Sequence, residues 1–136
     1  MQRKRIHDHF KKHGLFEIDE KNVTPVDQKF LHRAFDIINH HLSDATFNVE
    51  VLSKNLAMSR SVLHKKIVSL TGEPPVEFIR SIRLKKAAEL IQKKFGNLSE
   101  IALEVGFSNP AYFSECFKKQ YGVSPQQYQR NFNHYQ

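Results

Sequence analysis

The chain repeats itself. Displaced by 49 residues, NVEVLSKNLAM (48–58) falls on NLSEIALEVGF (97–107), which sets Asn48 on Asn97, Leu52 on Ile101, Leu56 on Val105, Ala57 on Gly106 and Met58 on Phe107. Beyond the turn a displacement of 50 sets Leu63 on Phe113, Ile67 on Phe117, Gly72 on Gly122, Pro75 on Pro125 and Phe78 on Tyr128. Apolar positions alone recur by chance between unrelated helices. Caps, apolar positions, glycines and prolines recurring together define one unit made twice: a short helix, a tight turn and a second helix. An all-α chain follows, with two helix-turn-helix subdomains joined by a long connecting helix.

The punctuation fixes approximate limits. Phe30, Leu31, Ala34, Phe35, Ile38 and Leu42 recur at three and four residues, predicting an amphipathic helix from Pro25 to near Leu42. Asn48 and Ser59 are N-cap residues for the two helices of the first motif (48–72), which Gly72 ends. Pro74 and Pro75 open the connecting helix (74–95), with Gly96 as its stop. Asn97 with Glu100 forms a capping box, Asn109 and Pro110 start the next helix, and Gly122 closes the second motif (97–122). Ser124 and Pro125 open a final helix (125–135). Residues 1–24 mix both charges with no sustained period and read as a linker or arm preceding the domain at 25–136.

Charge narrows the partners. A formal net charge of +7 and a pI near 9.6 over 136 residues favour an anionic partner such as nucleic acid. No apolar run approaches the ~18 residues of a spanning helix, so the chain reads as soluble and cytoplasmic, without membrane contact. Cys116, alone, excludes an intrachain disulfide framework and falls at a core position. A phosphate-cradling glycine loop and a nucleophile turn are both missing from the sequence, so neither an enzyme nor a cofactor is expected. His7, His9 and His13 have metal-like spacing, but in a charged arm the solvated-linker reading is favoured and no metal site is expected.

The second helix of such a motif is the one that enters a major groove in DNA-binding proteins. A connecting helix of about 20 residues is a rod of roughly 30 Å, close to the ~34–36 Å repeat of major-groove faces along one side of B-DNA. Both presented helices could therefore reach adjacent major grooves. Arg60, Lys65 and Lys66 mark the first presented helix without an acid, and Arg80, Arg83, Lys85 and Lys86 follow on the connecting helix. Such cations neutralise phosphates. The second presented helix carries Lys118 and Lys119 but also Glu115.

IRLKKAAELI, LSEIALEVGF and FKKQYGVSPQQY, in this order and spacing, resemble the signature of the AraC/XylS-type transcriptional regulators over about residues 27–134. The resemblance implies a seven-helix domain that binds promoter DNA sequence-specifically and usually activates transcription through RNA polymerase. Carried over by position, it implies base reading by Arg60, Ser61, His64 and Lys65 in the first motif, and by Asn109, Pro110, Ala111, Ser114 and Glu115 in the second. Phosphate contacts are expected from Lys66, Arg80, Arg83, Lys118 and Lys119. Two positions depart from the pattern. Ala57 stands where the first turn usually has glycine, and Glu115 where a basic or polar residue is usual.

Residues 1–42 resemble the connector that precedes such domains in hybrid two-component sensors, which implies an upstream receiver or sensor domain, a histidine kinase in the parent, and a place at the cytoplasmic end of a membrane-bound protein. The competing reading is a protein-interaction module that keeps the fold and has weak or non-specific DNA binding, for which Glu115 and Pro110 are the motive.

Overall fold

The computed structural model describes residues 23–134, and among these there are seven α-helices and no strand. They are α1 (Pro25–His40), α2 (Val49–Asn55), α3 (Arg60–Thr71), α4 (Pro75–Gln92), α5 (Leu98–Glu104), α6 (Pro110–Tyr121) and α7 (Pro125–His134). The arm expected at 1–24, with His7, His9 and His13, lies outside the described residues except for its last two. The helices form two compact units. Of the described residues, the first holds those up to His41 and Phe47–Ile82, and the second holds Leu42–Thr46 and those from Arg83 onward. Helix α4 is thus shared, its first half in one unit and its second half in the other.

In the first unit, α1 starts where the Thr24 hydroxyl accepts the Asp27 N–H at 3.2 Å. It ends two residues before Leu42, and the segment Leu42–Thr46 that follows belongs to the second unit. Its last carbonyls are met by imidazole: Nδ1 of His40 lies 2.7 Å from the Asp36 oxygen, and Nδ1 of His41 2.8 Å from that of Ile37. The Asn48 side chain caps α2 through Val51, and Ser59 caps α3 through Val62. Leu31, Leu52, Leu63, Ile67 and Phe78 are fully buried and form the centre of this unit's core.

The second unit repeats the arrangement around Leu84, Ile91, Ile101, Val105, Phe113 and Phe117. The Asn97–Glu100 capping box is formed in both directions. Phe117 lies 4.7 Å from the Tyr121 ring and 5.3 Å from that of Tyr128. Burial there pushes the Tyr121 phenol up to about 12.

The duplication extends further than the two motifs. Shifted by 53 residues, Leu31, Ala34 and Ile38 of α1 fall on Leu84, Ala87 and Ile91 of α4, and Leu42 just past α1 falls on Phe95 just past α4. Shifted by 50, Pro75 and Phe78 of the α4 start fall on Pro125 and Tyr128 of α7. Each unit is therefore a helix, a helix-turn-helix and a closing helix, and α4 closes the first while opening the second.

Two turns carry a left-handed residue at the same repeat position, Ala57 at φ 54° and Gly106 at φ 88°. The connecting helix stops differently from the expectation at Gly96. Lys94 takes the left-handed conformation at φ 55°, and Gly96 instead leaves room for the capping box, since a Cβ there would stand 2.8 Å from the Glu100 Oε1. No described helix is long and apolar enough to cross a membrane.

Candidate nucleic-acid interface

In each unit the second helix of the motif keeps one apolar stripe inward and leaves the opposite side to solvent. On α3, Leu63, Ile67 and Leu70 are buried, and Arg60, Ser61, His64 and Lys65 are all exposed. Leu63 and Lys65 lie two positions apart on a helix of 3.6 residues per turn, which puts the amine on the side away from the core. The surface is cationic: Arg60, Lys65 and Lys66 face no acid on the same helix. Lys66 is partly drawn inward, its Nζ 4.0 Å from Asp27 and 5.0 Å above the Phe30 ring. Asp27, Lys65, Lys66, Ser69 and Leu70 line an open depression of about 300 Å³.

Helix α6 is built alike with different chemistry. Phe113, Cys116 and Phe117 are buried, Pro110, Ala111 and Glu115 are exposed, and Ser114 is half-buried. Lys118 and Lys119 are exposed in its last turn. The Asn109 Oδ1 accepts from the N–H groups of both Ala111 (2.9 Å) and Tyr112 (3.1 Å). That carbonyl is occupied by the cap, so Asn109 has only its amide N–H groups to offer a base. The bidentate donor-acceptor pairing by which asparagine reads adenine needs both ends.

The phosphate set expected from the sequence is corrected at one residue. Arg83 is buried, with 6% of its surface exposed, and its guanidinium donates to three carbonyls: Nη1 to Leu42 and Val105 (2.8 Å to the latter), Nη2 to Asp44 (3.1 Å). Burial lowers its pKa, and the Asp44 carboxylate opposes that shift. A guanidinium held this way is a strut in the second unit and reaches no phosphate. It ties the 42–46 segment to the end of α5, directly beside Gly106. Arg80 remains at the surface, its Nη1 2.8 Å from Glu77 one turn back.

Two side chains on the presented helices lie outside the set expected to read bases. Val62 and Tyr112 occupy the same position of the repeat, third in α3 and third in α6, and each is 46% exposed. The displacement of 50 residues that pairs them was the available signal.

Two capped helix-turn-helix units, one with an outward cationic face, define a DNA-binding class of protein. Residues 52–131 match a family described as a helix-turn-helix domain, and the chain belongs to the AraC-type helix-turn-helix family of transcriptional regulators. Over 114 residues it is 39% identical to "Histidine kinase P4" of Formosa agariphila, covering 84% of this chain and 8% of that one. The C-terminal domain of AraT, a response regulator from Geobacillus stearothermophilus, superposes with a TM-score of 0.68 at 33% identity, covering 79% of this chain and 86% of that domain. The DNA-binding domain of AdpA, a global transcriptional factor solved in complex with a target DNA, superposes at 0.69 with 26% identity, covering 81% and 95%. The chain spans 8–29% of the length of the first curated relatives it matches.

Proposed function

We propose that this DNA-binding domain reads bases with Arg60, Ser61, His64 and Lys65 of α3, and with Ala111, Ser114, Glu115 and the amide of Asn109 on and beside α6, Pro110 setting the α6 start. Lys66, Arg80, Lys118 and Lys119 contact phosphates. The observation that carries this reading is the uninterrupted exposed face of α3 with Lys65 opposite the core. Lys65 can donate to guanine O6 or N7, His64 can donate or accept, and Glu115 can accept from cytosine N4. The unit with three cations and no acid on its helix supplies most of the affinity, and the unit with Glu115 supplies mainly selectivity.

Further parts of the reading concern the protein around this domain. Residues 25–136 form its DNA-binding portion and residues 1–24 an arm. The likeness to a histidine kinase and to a response-regulator domain supports a two-component parent, cytoplasmic at this end, in which an upstream receiver or sensor domain controls an activator that contacts RNA polymerase. The helix shared by both units is 18 residues, about 27 Å long, which supports two groove segments per site.

Selection of bound sequences from a random DNA pool, followed by footprinting, tests the reading. A site with two protected segments is expected, and Lys65→Ala and His64→Ala should each cost about 1–3 kcal/mol on it. Binding without sequence preference, unchanged by either substitution, would favour an interaction module instead.

A further inference from the structure

Val62 and Tyr112 are two of the large apolar side chains that the described residues leave exposed. On α3, Val62 is one turn before Lys65 and Lys66 and a further turn before Ser69, so it continues the outward row centred on Lys65. It is nearer the middle of that row than His64, which lies almost beside the buried Ile67 and Thr71 at helical spacing. Its backbone N–H is bound by the Ser59 hydroxyl at 3.2 Å, and the first turn of α3 is thereby fixed. On α6, Asn109 fixes the equivalent N–H of Tyr112 at 3.1 Å, and the Tyr112 ring is tilted against Phe107 with centroids 6.0 Å apart. Both side chains are thus held on capped first turns, the part of a recognition helix that reaches base edges.

Each residue is 46% exposed, so core packing, including the Tyr112 ring on Phe107, accounts for only part of either side chain. In the major groove the one apolar feature among the bases is the thymine 5-methyl group. We infer that Val62 and Tyr112 read thymine methyl groups, one in each segment of the DNA site. This rests on the proposed use of α3 and α6 as recognition helices. It adds a specificity that hydrogen bonding by Ser61, His64 and Lys65 cannot supply, because uracil and thymine offer those groups the same acceptor.

That equivalence gives the test. In a site obtained by selection, each thymine is replaced singly by deoxyuridine, which removes the methyl and keeps every hydrogen-bonding group. At least one position in each segment should weaken binding by the full chain about four-fold, the loss expected for one buried methyl. With Val62→Ala the sensitive position in one segment should become indifferent to the replacement, and with Tyr112→Ser the position in the other. Val62→Thr, which retains one methyl, should keep part of the sensitivity, and thermal unfolding of each variant verifies the fold. The inference is overturned if no thymine is sensitive, or if the sensitivity persists undiminished in Val62→Ala and Tyr112→Ser. A chain that still loses binding with Lys65→Ala in those cases keeps its recognition helices and loses only the methyl readers. One that shows no sequence preference at all has lost the underlying reading.

Discussion

Alanine and glycine occupy equivalent left-handed turn positions in the two units, so exchanging them should change stability in opposite directions. Gly106→Ala adds a Cβ that would overlap the Arg83 Nη1 and stand 2.5 Å from the Leu42 carbonyl oxygen. The backbone contribution is modest: an L-residue in the left-handed region costs about 1–2 kcal/mol, and the smaller freedom of alanine in the unfolded chain returns about 0.4–1. The larger effect is displacement of the guanidinium from its three carbonyls. A hydrogen bond to a charged group contributes about 1.5–3 kcal/mol. Losing even one brings the total to roughly 3 kcal/mol. Ala57, by contrast, is exposed at φ 54°, and Ala57→Gly relieves strain with nothing to displace, for a net gain of up to about 1 kcal/mol.

The two can be resolved in one experiment. The chain has no tryptophan, and the three tyrosines among the described residues, at 112, 121 and 128, all belong to the second unit. In urea titrations, tyrosine emission follows that unit and far-UV circular dichroism follows both. Gly106→Ala should move the tyrosine transition to lower urea at nearly unchanged slope. Ala57→Gly should raise the midpoint seen by dichroism. A Gly106→Ala midpoint shift that, multiplied by the slope, amounts to less than about 1 kcal/mol would refute the argument that Arg83 fills the space beside that turn.

Four further outcomes can be measured on the same protein. The Tyr121 phenol, raised to about 12 against an unfolded value near 10, favours the neutral form in the fold. Its stabilisation is therefore complete below pH ~10 and lost as pH rises toward 12. Urea midpoints across that range should fall for wild type and fall less for Tyr121→Phe. Lys118→Ala and Lys119→Ala should each lower the log-log salt slope of DNA binding by about 1, measured by fluorescence anisotropy, whereas Arg83→Met should destabilise the second unit in the tyrosine titration by several kcal/mol. Asn109→Ala removes a cap accepting two N–H groups and should cost about 1 kcal/mol in that titration.

What the sequence discloses and what it conceals divide along contact distance. The caps at Asn48, Ser59, Asn97 and Asn109 and the left-handed stops at Gly72 and Gly122 are local, each decided within four residues, and they are readable directly. The exposed set on α3 follows from periodicity. Arg83 could not be read that way. Its partners are 41, 39 and 22 residues distant, and its neighbours Arg80, Lys85 and Lys86 are at least partly exposed cations, so chemistry alone groups it with them. Gly96 misled for a related reason: a glycine after a helix reads as a left-handed stop, but here the space it leaves is used by a glutamate of the following helix.

Helix α4 explains why the full extent of the duplication is harder to see than its two motifs. Its first half must match α7, and buries Phe78, Ile79 and Ile82 in the first unit. Its second half must match α1, and buries Leu84, Ala87, Ala88, Leu90 and Ile91 in the second. One helix serving two cores cannot keep a single 3.6-residue stripe, and the displacement that relates the copies changes from 53 to 49 to 50 along the chain. Arg83 stands at the junction of these halves, the first residue of α4 that belongs to the second unit. Its position accounts for the difference between the turns: the second turn is packed against a buried cation and admits only glycine, while the first faces water and tolerates alanine. The Ala57 departure from the family pattern is therefore a strain the first unit can carry, at a place where the second cannot.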